Sequence, residues 1–283
     1  MKYQLIRRLL PVAAAFLLAG TLLPAQAADP DMWPRIRASL FEERSIEDAA
    51  GTLLRIDAPN RAEDAAVVPI AIHTGVDQGS DRYVRKTWLI IDQNPSPIAA
   101  VFNFTPDSGR ADIETRVRID AYTLVRVVAE LNDGSLHMAT RFVKASGGCS
   151  APAGKDPAEA MASLGRMKVR VDGDLELGKP ALAQLMISHP NDSGLAMDQL
   201  SRNYTPAHFV REITVSYAGK PVMTADVDIS ISENPNFRFY FVPRVPGELT
   251  VEAVDSRDLH FHTAVKLDPG GNVAASVKPG AGS

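Results

Sequence analysis

One cysteine, Cys149, stands among 283 residues. It sits in Gly147-Gly148-Cys149-Ser150, within a run of Ser, Gly, Ala and Pro from Ala145 to Gly154. A thiolate attacks sulfur electrophiles and forms covalent adducts, at a rate set by its pKa and by access. Glycine adds backbone freedom and removes steric cover. The spacing therefore predicts an accessible thiol on a mobile loop, with Cys149 as a covalent attachment point and Gly147, Gly148 and Ser150 as the carrier loop. The bland alternative is a small buried hydrophobe. A lone cysteine forms no intramolecular disulfide and no cysteine-cluster metal site.

Other candidates are weaker. His260 and His262 lie two apart in a strand pattern, share a face and could chelate, but a partly solvated strand face explains them as well. His189 precedes Pro190 in a turn, where a structural role is the default. Arg116 and Arg118 read as solvated charges on a strand, and Phe237, Phe239 and Phe241 as a core stripe. There is no Gly-x-Ser-x-Gly elbow, no His-Glu-x-x-His and no phosphate-cradling glycine loop. A cysteine hydrolase needs a base fixed against its thiol, the opposite of a mobile glycine arm. Neither catalytic residues nor a metal or cofactor are expected.

The chain that positions these residues is 45% hydrophobic and 23% charged, with net charge −4. That balance argues against disorder and against a nucleic-acid binder, which shows a basic surplus. Residues 1–27 read as a cleaved signal peptide: Lys2, Arg7 and Arg8, then an apolar run, then Ala25-Gln26-Ala27. The run is short for a span of about 20 apolar residues. The expected product is a periplasmic protein with no membrane anchor.

Met32–Phe41 reads as a short amphipathic helix. Strand patterns follow at Arg85–Asp92, Ile98–Phe104, Thr115–Ala121, Leu124–Leu131 and Leu136–Val143, the last two flanking an Asn132-Asp133-Gly134 hairpin turn. Asp156-Pro157 opens a short linker helix, with Asp156 as its N-cap. A second strand series runs from Met167 to Leu267. Many short strands at this spacing, without alternating long helices, predict an all-β chain of two β-sandwich domains.

The ordered motifs resemble the sulfur-oxidation carrier SoxYZ with both subunits in one chain, of the kind associated with quinoprotein dehydrogenases. The first half resembles SoxY through Val67-Val68-Pro69-Ile70, Asp92-Gln93-Asn94-Pro95-Ser96-Pro97, Thr115-Arg116-Val117-Arg118 and Gly147-Gly148-Cys149. The second resembles SoxZ through Ile187-Ser188-His189-Pro190, Gly194, Tyr217-Ala218-Gly219-Lys220 and Ile231-Ser232-Glu233-Asn234-Pro235. The resemblance implies two immunoglobulin-like sandwiches, and a non-enzymatic carrier with sulfur-containing cargo on Cys149. It also implies periplasmic redox partners, either Sox-type c-type cytochromes or a quinoprotein dehydrogenase. Here the cysteine arm does not end the chain: Ser150-Ala151-Pro152 follows, so the arm is a tethered loop. The expected divisions are 1–27 signal peptide, 28–148 SoxY-like domain, 149–165 linker, 166–268 SoxZ-like domain and 269–283 flexible tail. A rival reading is a non-covalent accessory module for the same redox partners.

Overall fold

Alternating apolar residues build most of this molecule. The computed structural model describes residues 32–268 except Ser80, Ala153, Lys155, Asp156, Gln199 and Leu200. The signal-peptide reading, the Asp156 cap and the tail 269–283 lie outside the described residues.

Helix α1 (Trp33–Phe41) leads into strands β1 (Ile46–Asp48), β2 (Leu54–Asp57), β3 (Val68–Thr74), β4 (Val84–Ile91), β5 (Ile98–Phe104), β6 (Ile113–Val117), β7 (Thr123–Leu131) and β8 (Leu136–Val143). Helix α2 (Pro157–Ala162) precedes β9 (Met167–Asp172), β10 (Ala181–Ile187), β11 (Val210–Tyr217), β12 (Lys220–Val227), β13 (Asn236–Phe241), β14 (Gly247–Asp255) and β15 (His260–Leu267). The architecture is all-β with two short helices. No helix among the described residues is long and apolar enough to cross a membrane.

The strands form two sheets. Nine run in the order β1-β8-β7-β4-β5-β12-β11-β14-β15, and six in the order β2-β3-β6-β13-β10-β9. Both sheets pass through both halves of the sequence. Antiparallel β5 and β12 pair from Phe104↔Met223 to Ala100↔Val227. The β6–β13 junction is thinner, with Glu114 opposite Arg238 and one further bridge at Val117↔Ile231. Main-chain hydrogen bonds thus join the halves, a relationship that alternation along a single strand does not encode.

The sheets share one apolar core drawn from both halves. Phe102 of β5 meets Phe237 of β13 edge-on at 6.2 Å, and Tyr217 of β11 lies 5.1 Å from Phe241. The Phe237, Phe239 and Phe241 stripe is buried, as its period of two predicts. A smaller cluster fixes α1 on the outer face of the nine-stranded sheet, where Phe41 packs edge-on against Trp88 at 5.0 Å. Tight turns occur where the sequence supplies permissive residues. Gly134 (φ +85°) closes β7–β8, and Gly219 (φ +77°) closes β11–β12.

Candidate functional site

Cys149 lies one turn beyond the end of β8, and the chain holds that turn down. Lys144 donates its N–H to Asn60 O and accepts from Ala62 N–H. Gly147 N–H then donates to Asp120 O at 2.8 Å, and Gly148 N–H to Ile119 O at 2.9 Å. Gly147 sits at φ +79° with open space around it, so there glycine serves the backbone conformation. Gly148 serves close approach: a Cβ there would lie 2.0 Å from Ala65 O and 2.7 Å from Ile119 O.

This arrangement corrects the expectation of a mobile, accessible loop. Cys149 is 1% exposed, Gly148 is buried, and Gly147 and Ser150 are exposed. The glycines let the arm lie against the 119–120 backbone instead of freeing it. From the other side, Ser193 Oγ donates to Cys149 O at 2.5 Å. Burial, reinforced by Asp120, pushes the thiol pKa up to about 12, and Arg118 opposes that rise. A docked thiol of this kind is neutral and a poor nucleophile.

Arg118 is the second correction, since it is 6% exposed instead of solvated. Its backbone N–H donates to Ser230 O, and its Nη1 donates to Ile231 O at 2.6 Å and to Ile229 O at 3.3 Å. β6 ends at Val117, and the 229–232 segment of the second half packs over the residues that follow. Desolvation lowers the Arg118 pKa, while Cys149, Glu233 and Asp192 counter it. The Asn94 side chain ties the same seam, donating to Arg118 O and Ser230 Oγ and accepting from Asp120 N–H.

The loop that carries Ser193 is braced from below. His189, His208 and Asp255 are fully buried, with His208 Nε2 2.7 Å and His189 Nε2 3.5 Å from Asp255 Oδ2. Three such donor atoms within 4.8 Å could hold a metal ion. The hydrogen bonds argue for a different assignment. Asn191 N–H donates to His189 Nδ1 at 3.0 Å, so the proton of neutral His189 resides on Nε2 and faces Asp255. Burial, and then His208, depresses the His189 pKa to about 4. Asn191, at φ +47°, completes the brace by donating to Ile231 O and accepting from Val210 N–H. His189 is therefore structural, as its turn context suggests. His260 and His262 lie on the exposed face of β15, with His262 opposite Glu252.

Residues 37–149 match the family described as sulfur oxidation protein SoxY, and residues 169–266 match that described as sulphur oxidation protein SoxZ. The chain belongs to the SoxYZ family, with a SoxY domain and a SoxZ domain fused in that order. Members are carriers and not catalysts. Cys149 is the last residue of the SoxY match. No curated protein matches the chain. Among solved structures it is similar to the sulfur carrier protein SoxY from Chlorobium limicola f thiosulfatophilum, at 26% identity over 40% of this chain and 94% of that one, with a TM-score of 0.34. It is also similar to a superoxide reductase (neelaredoxin) from Ignicoccus hospitalis, at 15% identity over 35% of this chain and 94% of that one, with a TM-score of 0.32. In this chain the arm of the SoxY half docks against its own domain and against the 189–194 loop of the SoxZ half.

Proposed function

We propose that the protein serves the sulfur-oxidation system as a non-enzymatic binding module for a periplasmic redox partner, a quinoprotein dehydrogenase or a c-type cytochrome, and that its resting form keeps Cys149 closed. The burial of Cys149 carries this reading. A thiol 1% exposed, with its pKa raised, is not poised to trade cargo. We read the module as two immunoglobulin-like sandwiches lying side by side, divided as 28–148 and 166–268 around the 149–165 linker, with their sheets and core held in common. Export belongs to the same reading, supported by the basic, apolar and Ala-x-Ala pattern of residues 1–27.

A second reading has a specific observation behind it. Cys149 ends the SoxY match, and few bonds hold its turn: two backbone N–H donors and one serine hydroxyl. Covalent carriage of sulfur-containing groups on Cys149 then requires undocking of the 147–150 turn. Intact-mass spectrometry of protein isolated from its own cells separates the two. An unmodified chain supports the binding module. Sulfur added at Cys149 would establish the carrier instead.

A further inference from the structure

Where β6 of the SoxY half meets β13 of the SoxZ half, the six-stranded sheet opens on its outer face. Glu114 pairs with Arg238, the next bridge joins Val117 to Ile231, and residues 232–235 leave the sheet between them. A groove of about 610 Å³ lies at this junction. That volume is in the range of small-molecule sites. Pro59, Pro69 and Ala71 form part of its wall, and Arg116, Arg238, Gln184 and Asn236 supply polar groups. None of the residues around Cys149 lines it.

Two arginines there have unmet hydrogen-bonding capacity. Arg116 uses Nη2 to donate to Asn234 O at 3.2 Å, and its buried Nε has no partner. Arg238 uses its two terminal nitrogens on Glu114 and Asp172, and its buried Nε also has no partner. These are two of the four buried side-chain polar atoms left without a partner among the described residues. Folded proteins leave few such groups, so the two guanidinium groups beside this groove are under-satisfied by the protein itself.

The charges around the groove differ in how they are compensated. Glu114 is engaged by Arg238, and Asp57 by Arg55 and His73. Arg116 has no carboxylate within ion-pair distance among the described residues. Its guanidinium offers a planar fork of donors suited to a carboxylate, sulfonate or sulfate-type oxyanion. Gln184 Nε2 donates to Asn236 Oδ1 at 3.2 Å, which leaves the Asn236 amide hydrogens for a second polar group of a ligand.

We infer that this groove binds a small oxyanion-bearing ligand, with the anionic head on Arg116 and the body along Asn236 and the proline wall. Because both halves line it, the site exists only when the SoxY and SoxZ domains are paired.

Titration calorimetry on the full chain tests this, with sulfate, thiosulfate and succinate each compared with chloride at equal ionic strength. At least one oxyanion should bind more tightly than chloride, and Arg116→Gln should weaken it about tenfold or more, as for loss of a charged hydrogen bond. Binding of sulfate or thiosulfate marks an inorganic ligand, and binding of succinate alone an organic acid. Glu114→Gln should tighten binding by releasing Arg238, and Asn236→Asp should weaken it by repulsion, so the test does not hang on one variant. Shifts in the side-chain amide resonances of Gln184 and Asn236 should accompany binding. Equal response to chloride and all three oxyanions would overturn the inference, as would binding that survives both Arg116→Gln and Arg238→Gln.

Discussion

The Ser193 hydroxyl donates to the carbonyl of Cys149 across 2.5 Å, and so fastens the cysteine turn of the SoxY half to a loop of the SoxZ half. The two residues are 44 positions apart. With the bonds from Gly147 and Gly148 to the 119–120 backbone, this contact defines a closed state of the arm.

Closure should slow thiol chemistry. Native protein should react with a maleimide at least about a hundredfold more slowly than the unfolded chain, because reaction waits for opening. Ser193→Ala removes a bond worth about 1 kcal/mol and should raise the native rate roughly fivefold. Native and unfolded chains reacting alike would contradict the closed arm.

The two glycines should respond differently to alanine. Gly148→Ala places a methyl 2.0 Å from the Ala65 carbonyl oxygen. It should destabilise the docked arm by about 1–3 kcal/mol and expose the thiol. Gly147→Ala meets open space at φ +79° and should cost only about 1 kcal/mol of backbone strain. Equal maleimide rates for the two variants would show that Gly148 is not a close-approach position.

Most strands could be read directly from the sequence. β5 and β8 match their expected strand spans to the residue, and the core stripe of β13 is where its phenylalanines place it. β1 and β2 are too short to carry a pattern, and Pro69 disguises β3. The site was harder to read. Gly147-Gly148 has the same composition whether it frees an arm or lets one pack closely. What distinguishes the cases is Ala65, Ile119 and Ser193, all remote in sequence from the glycines. The burial of Arg118 has the same cause, since its cover comes from Ile229 to Ser232.

Acid should loosen the brace beneath Ser193. Folded His189 titrates at about 4 against an ordinary 6.5, so between those values the unfolded chain binds the extra proton. Stability is full above 6.5 and falls as pH drops toward 4, by roughly 3 kcal/mol at most. Thermal melts across that window should show the fall, and His189→Gln should flatten it. A wild-type Tm independent of pH between 6.5 and 4 would contradict the neutral, buried His189.

Alkali should act on the arm itself. The Cys149 thiol is raised from 9.0 to about 12, so docking is unaffected below 9 and is lost progressively as pH rises toward 12. Cys149→Ala should remove that slope from hydrogen-exchange protection at Gly147 and Gly148. Persistence of the slope in the variant would assign it to another group.

Cutting the linker between Ser150 and Pro157 should leave the halves together, because β5–β12 pairing and the shared core join them. The cut protein should elute from a sizing column as one species at the intact volume. Separation into two halves would contradict the continuous sheets.

The protein is proposed to work by binding a redox partner while Cys149 stays closed. The most direct measurement is the affinity of the purified dehydrogenase or cytochrome partner for wild-type protein and for Cys149→Ala. The two Kd values should agree within about threefold, since a buried side chain makes no partner contact. Weakening by about tenfold or more in a variant that melts at the wild-type temperature would contradict it, and would place the thiol in the working interface.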